Sequence, residues 1–397
     1  MIKEKKTLIF VTAGQWQLSG IIQARKMNYN IVGIDTDNYA KGFKMSDYVI
    51  NQDLKNYKTI IKILSELKLN YVGVISYCSE AGMILAAIIR KEFNLPGPNI
   101  SLTNRLIDKS LQRKIFLKKK ITQPKFKVFK TKKIAISFIK KKKLPIIIKP
   151  TDSSGSRGVF KIDNLQNIDK CVDLSFSYSN SHKIIVEEFV DGSEYTVETF
   201  FLNRKMYLLA VTKKKKIHKT NGTVAYELRT CSLSNKNYKN LFNIINSAYI
   251  SLGYTNGTGH AEVMQRNNRY YIIELAGRGA GFHVFDKLLP LITGINLPKI
   301  LIENYTGKIS NIGKFKKLSG IIRYFPTKKG IIKKISGFQS LKNLKGVYGG
   351  SLSKVGQVTK EANTDGDRNG YIITIDLKMK EAIKKMKISR KLIKITY

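Results

Sequence analysis

Acidic residues and cysteine are scarce in this chain. Its 397 residues hold 28 Asp and Glu against 71 Lys and Arg, a formal net charge of +43. Three cysteines, Cys78, Cys171 and Cys231, stand far apart with no CxxC pair. That spacing excludes a disulfide framework and a cysteine-based zinc cluster, and leaves each as a small buried hydrophobe. No stretch approaches the ~18 uninterrupted apolar residues of a membrane span. The first apolar run, Thr7 to Thr12, is too short for the core of a secretion signal, so a cytoplasmic protein is expected. Arginine is scarce as well: 13 residues against 58 lysines, beside 52 isoleucines and 28 asparagines. Lys, Ile and Asn together are what an AT-rich genome favours. Arg, which reads phosphates and bases bidentately, is the basic residue in short supply. The charge therefore reads mainly as codon drift, and a nucleic-acid partner is not expected, although so basic a chain raises the question.

With 43% hydrophobic and 10% aromatic residues, the chain can build a core, and its length suits two or three domains. Through the first hundred residues short apolar runs alternate with helical patterns. Thr7 to Thr12, Ile31 to Asp35, Tyr48 to Ile50 and Tyr71 to Ser76 read as strands, with helices between them. That alternation predicts a doubly wound parallel sheet. The first turn, Ala13-Gly14-Gln15-Trp16-Gln17, lacks GxGxxG and does not support dinucleotide binding. Asp35 and Asp37 read as turn residues. From about Asp108 the pattern changes to short helices and strands, with a hairpin signature around Arg266-Asn267-Asn268-Arg269. The basic run Lys213 to Lys216 interrupts a strand pattern and reads as a solvated segment. The last eighty or so residues predict a β-rich unit with a basic helix near Met379 to Ile393.

Four groups of residues could carry chemistry. Lys149 ends an apolar strand, and Ser153-Ser154-Gly155-Ser156-Arg157-Gly158 follows. Small residues let backbone N–H groups turn onto an anion, though the same composition suits a surface hairpin. It is not a Walker A loop, because the lysine precedes the glycines. Glu187-Glu188-Phe189-Val190 and Glu194 flank a strand end, where acids could meet an amino group or sugar hydroxyls, or form a solvated turn. Glu262 and Glu274 lie on the two arms of the hairpin. An odd-numbered loop or a bulge sets them opposite one another, whereas a plain four-residue loop sends them to opposite faces. Facing carboxylates repel unless a divalent cation lies between them. Arg278 follows in Gly277-Arg278-Gly279-Ala280-Gly281-Phe282-His283, and could stabilise charge on a transferring phosphoryl group. His283 reads as a satisfied pocket or core histidine.

In this order and spacing the motifs resemble the ATP-grasp superfamily, nearest its carboxylate–amine ligase branch of biotin carboxylase, purine-pathway carboxylases and amino-acid ligases. The resemblance runs over nearly the whole chain. It implies an α/β and α+β architecture: an N-terminal doubly wound domain over 1–105, then an ATP-grasp fold over 106–305. That fold would comprise a lid at about 124–185 and a central antiparallel sheet, followed by a small β-rich unit with a terminal helix over 306–397. It implies that Lys109, in Asp108-Lys109-Ser110, and Lys149 contact ATP. The loop Ser153, Ser154, Gly155, Ser156 and Gly158 would close over the phosphates. Glu187, with the backbone of Phe189 and Val190, would read adenine, and Glu194 the ribose. Glu262 and Glu274 would hold two Mg²⁺ ions, with Arg278 the arginine of the ExNxR motif. Ala276 stands where that motif has asparagine, so one ligand of the second ion is missing from its usual place.

The implied reaction is phosphoryl transfer from ATP to a carboxylate, followed by attack of an amine on the acyl phosphate. Small carboxylate and amine substrates, amino acids among them, would be the partners, with a homodimer possible. An alternative within the enzymes activates bicarbonate or formate. A third reading is a non-catalytic ATP-binding scaffold or an RNA binder, which needs Lys213 to Lys216 and the helix Lys378 to Lys394 to form one stripe.

Overall fold

The alternation of the first hundred residues resolves, in a computed structural model describing residues 5–217, 224–308 and 311–397, into a parallel sheet. Its strands are Tyr48–Asn51, Asn30–Asp35, Thr7–Val11 and Tyr71–Ile75, in that spatial order and all parallel. Helices cover both faces, so the Thr7–Val11 strand is wholly buried. Ile9, Val11, Val32 and Ile34 pack to one side with Ile60, Leu64 and Ile89, while Leu8, Phe10 and Ile31 pack to the other with Ile21 and Ala24. Each such fully buried aliphatic side chain contributes roughly 1.5–3 kcal/mol. Asp35 and Asp37 accept from the backbone N–H groups of Asp37 and Tyr39, as turn residues do.

A second sheet of four antiparallel strands follows. Its order is Phe126–Phe129, Ile184–Glu188, Ile146–Pro150 and Phe160–Ile162, and it packs on the helices Lys132–Lys140 and Ile168–Ser177 through Phe129, Ile139, Ile148, Val172 and Val186.

The largest sheet has eight strands. From one edge they are Arg269–Ala276, Gly257–Arg266, Ser193–Leu202, Lys205–Lys216, Ala225–Thr230, Ser319–Pro326, Arg368–Asp376 and Val347–Ser351, every neighbouring pair antiparallel. The C-terminal strands thus extend the central sheet. Helix Asn235–Leu252 packs on it through Leu241, Ile245 and Tyr249. Ser234 caps its start by accepting from Asn237 N, and Gly253, at φ +84°, ends it in the left-handed region.

One expectation is corrected here. Lys213 to Lys216 does not interrupt a strand but completes the Lys205–Lys216 strand: all four pair with Ala225–Thr230, and Lys213 also pairs with Tyr195 on the other edge. Lys213 and Lys215 are exposed, as a solvated run would be, whereas Lys214 and Lys216 are half-buried against acids. A run of four lysines suggests a solvated surface, but the alternation of a strand sends every second side chain to the other face. Among the described residues, no helix is long and apolar enough to cross a membrane. The segment before Lys5 lies outside the described residues.

Candidate functional site

The central hairpin decides where its acids go. Its turn is Asn267-Asn268, with φ of +50° and +59°, the conformation a two-residue hairpin needs and Asn tolerates. A plain register from that turn would set Glu262 against Ile273. A bulge between Glu262 and Val263 shifts the pairing, so that Glu262 faces Glu274 and His260 faces Ala276. On the other edge Thr196 lies opposite Glu262, and Glu198 opposite His260. Strand alternation then gathers Glu194, Thr196, Glu198, His260, Glu262 and Glu274 on one face of the sheet.

Every acid on that face has a basic partner. Lys214 Nζ lies 2.7 Å from Glu194 Oε1 and 2.5 Å from Glu262 Oε1, and Lys216 also pairs with Glu194. Burial alone would raise the Glu262 pKa, but Lys214 and His260 outweigh it and hold that carboxyl well below the usual range. Burial would lower the Lys214 pKa, yet Glu194 and Glu262 drive it upward. His260 Nδ1 is 2.6 Å from Glu198 Oε1. Against burial, Glu198 and Glu262 raise the imidazole to about 9. Lys109 Nζ sits 3.4 Å from Glu274 Oε1 and donates to Ser153 O at 2.8 Å. Arg278 donates to Glu80 Oε1 from Nη2 at 2.8 Å and from Nε at 3.2 Å. Glu80 opens the helix Glu80–Glu92, which packs on the parallel sheet, so the arginine ties the central hairpin to that layer.

Glu187 lies deeper. Its Oε1 accepts from Arg113 Nε at 2.7 Å and its Oε2 pairs with Lys149 Nζ at 2.7 Å. Arg113 and Lys149 also donate to Ile273 O, at 2.7 and 3.2 Å. Residue exposures are 1% for Arg113, 3% for Glu187 and 4% for Lys149, so this is a buried ionic triad joining the four-stranded sheet to the hairpin. Burial opposes ionisation of Glu187, but Arg113 and Lys149 keep it below the usual carboxylate range. The carboxylate is therefore committed to the protein. Val190 beyond it is buried, and Lys161 lies over the Phe189 ring at 4.5 Å.

The glycine loop turns at Gly155 and Ser156, with φ of +65° and +61°, and again at Gly158, at +71°. A side chain at 158 would come within 2.9 Å of Pro150 and 3.0 Å of Tyr178, so only glycine fits. Ser154 O accepts from Arg157 Nε at 3.1 Å, and Ser153 is buried over Lys109.

Beyond Arg278 the chain borders a cavity of about 490 Å³, whose walls include Gln15, Trp16, Phe282, Ser353 and Arg368. Arg368 stacks on Phe282 and Tyr324, with its carbon 4.4 and 3.8 Å from the ring centres. His283 is a satisfied histidine: it is 5% exposed, with Nδ1 2.9 Å from Asp286.

Glu262 and Glu274 form a hard-oxygen pair that suits Mg²⁺, while Ala276 contributes no side-chain donor. Among the described residues, no group of three or more His, Cys, Asp or Glu side chains is arranged to hold a metal unaided. Substrate phosphates and water would therefore complete any coordination shell. Sequence reasoning missed Glu80, Arg113, Glu198, Lys214 and His260 as members of this cluster. Only the parity of Lys214 and Lys216 within their run, and of His260 with Glu262, could have suggested a shared face.

Residues 142–286 match the ATP-grasp domain family. The chain is 25% identical over 205 residues to the D-alanine–D-alanine ligase of Pelagibacter ubique, covering 49% of this chain and 66% of that one. It is 28% identical over 153 residues to the corresponding ligase of Buchnera aphidicola, covering 36% of this chain and 48% of that one. The matches thus span between about half and two thirds of these curated relatives. In fold, the chain resembles an L-amino acid ligase from Bacillus licheniformis, with TM-score 0.85, 18% identity, and coverage of 100% of this chain and 99% of that one. It also resembles a phosphoribosylglycinamide synthetase from Anaerococcus prevotii, with TM-score 0.76, 19% identity, and coverage of 99% and 100%.

Proposed function

The chain contains an ATP-grasp domain, and from that premise we propose that it is an ATP-dependent carboxylate–amine ligase of the cytoplasm. In this reading Lys109, Lys149 and the loop 153–158 receive the ATP phosphates. The backbone at Phe189 and Val190 receives adenine, and Glu194 the ribose. Glu187 acts beneath them, fixing Lys149 and Arg113. Glu262 and Glu274 would hold Mg²⁺, which supplies charge neutralisation at the phosphate oxygens.

The reaction has two steps. A substrate carboxylate oxygen attacks the γ-phosphorus and ADP leaves, giving an acyl phosphate. The amine nitrogen then attacks the acyl carbon, loses a proton, and inorganic phosphate leaves with the bonding pair. The chain's own contribution is positioning and charge: Lys109 and Arg278 face the acids from one side, held by Ser153 O and Glu80. The four-stranded sheet over 126–188 acts as the lid, closing to keep water from the acyl phosphate.

The observation that carries the ligase reading is the cavity bordered by Phe282. At about 490 Å³, with an indole and a phenyl ring in its wall, it suits an amino-acid-sized substrate. The RNA-binding reading loses support because Lys214, Lys215 and Lys216 are spent on Glu194, Glu262 and Glu227. The test is ADP release with a panel of amino acids and small carboxylates, comparing wild type with Glu274→Ala and Arg278→Ala. Release stimulated by amino acid pairs and lost in both variants supports the ligase. Release stimulated only by bicarbonate or formate favours the other enzyme, and absence of ATP binding removes both.

A further inference from the structure

We propose that Lys214 is a built-in counter-cation that takes the place of one of the two divalent ions, so that nucleotide binds with a single Mg²⁺ per chain. The inference rests on the ATP-binding reading above and concerns how this chain balances charge at that site.

Lys214 lies near the end of an interior strand: it pairs with Leu228 on one edge, and Lys213 just before it pairs with both Arg229 and Tyr195, which fixes where the side chain is directed. Its side chain is 9% exposed and its ammonium lies between Glu194 Oε1, at 2.7 Å, and Glu262 Oε1, at 2.5 Å. A lysine is a compact point charge with three donors, able to satisfy two carboxylates at once as a small cation would. Both acids are also held from elsewhere, Glu194 by Lys216 and Glu262 by neighbouring His260, whose Nε2 is 3.8 Å away. The pairing is therefore part of a network spanning three adjacent strands.

Phosphate oxygens and water fill most of a Mg²⁺ shell, so what the protein sets is how many free carboxylate oxygens face the site. Here each facing carboxylate already spends one oxygen on a lysine: Glu262 Oε1 on Lys214 and Glu274 Oε1 on Lys109. That leaves one oxygen from each, on opposed positions of neighbouring strands, which is a pair suited to one shared ion. The next position along, Ala276, offers only a methyl group, and its carbonyl already accepts from the Tyr249 hydroxyl at 2.9 Å. A second divalent ion on the Glu262 side would have to sit beside the Lys214 ammonium, where like-charge repulsion in a partly dry site opposes it. The loss of a donor at 276 and the presence of a cation at 214 thus point the same way.

The test counts metal directly. Mn²⁺ serves as the probe, and its free signal is followed by electron paramagnetic resonance while it is titrated into the protein saturated with a non-hydrolysable ATP analogue. The wild type is expected to bind one Mn²⁺ per chain, and Lys214→Arg, which keeps the cation, also one. Lys214→Met combined with Ala276→Asn is expected to bind two, the second at least 10-fold more tightly than any second ion in the wild type. Two Mn²⁺ of comparable affinity in the wild type overturn the inference without any variant being needed. A count that stays at one in a folded double variant, its melting checked by circular dichroism, overturns it as well. If the analogue does not bind at all, the ATP reading itself fails. If it binds with two ions, only the counter-cation inference fails.

Discussion

Replacing Glu187 by Gln removes the one anion of the buried triad and leaves Arg113 and Lys149 together with no counter-charge. Breaking a buried pair by removing one partner costs about 3–5 kcal/mol. The protein has one escape, which bounds the loss. Arg113 cannot shed its proton, but Lys149, whose pKa burial already pulls below the ordinary lysine value, can. Deprotonating a lysine of unfolded pKa near 10.4 at pH 7.5 costs about 1.4 kcal/mol per unit, or about 4 kcal/mol in all. The amide still accepts one hydrogen bond, so a loss of about 3–4 kcal/mol is expected at pH 7.5. The sign of its pH dependence follows. In the variant, neutral Lys149 in the folded state binds fewer protons than lysine in the unfolded chain. Stability of the variant therefore rises with pH up to about 10.4, recovering about 2–3 kcal/mol between pH 7.5 and 9.5. On the acid side the wild type behaves differently. Its depressed Glu187 pKa gives a contribution present above about pH 4.3 and lost as pH falls through the folded value, which the variant lacks. Urea unfolding followed by circular dichroism at pH 7.5 and 9.5 reads the deficit and its recovery, and a series below pH 5 reads the acid-side loss of the wild type. A deficit under 1 kcal/mol at pH 7.5, or one that does not shrink at pH 9.5, would refute the reasoning.

Arg278→Lys keeps the charge but loses the two-atom grip on Glu80. ADP release should fall about 100-fold, with Glu80→Gln reproducing most of the loss; near-normal turnover in either would count against the pair. Trp16→Ala opens the cavity wall and should raise KM for the better amino acid substrate several-fold while leaving the Kd for ATP unchanged, as equilibrium dialysis can check. With a net charge of +43, ATP affinity should weaken several-fold between about 20 and 150 mM salt. A flat Kd over that range, measured by calorimetry, would show that local groups alone set the binding.

The elements were legible where periodicity was strong. The strands of the first sheet follow directly from apolar spacing and turn residues. Glu262 and Glu274 were visible as a pair, but whether they met depended on a bulge. No residue near Val263 announces that bulge, because a bulge is a compromise between turn register and the packing of both neighbouring strands. The ionic partners were hidden for another reason. Arg113 is 74 residues from Glu187, and Glu80 is 198 from Arg278. Nothing local distinguishes Arg113 from any other helical arginine until the fold brings Glu187 beneath it. Lys214 was concealed by its own neighbours, since four consecutive lysines look solvated unless the strand they occupy is known to be interior.

The eight-stranded sheet also bears on how such a protein can diverge. Its hairpin edge carries the acids that would face a nucleotide, whereas the loops after its far strands, around Ser353 and Arg368, line the cavity. The two ends share one hydrogen-bonded frame, while none of the hairpin's acids lines the cavity. Substitution in the distal loops can therefore reshape the cavity while the hairpin register stays intact. A lineage can in this way explore new substrates on an unchanged energy-coupling end, and sequence drift should concentrate beyond about residue 327 rather than between Glu187 and Arg278.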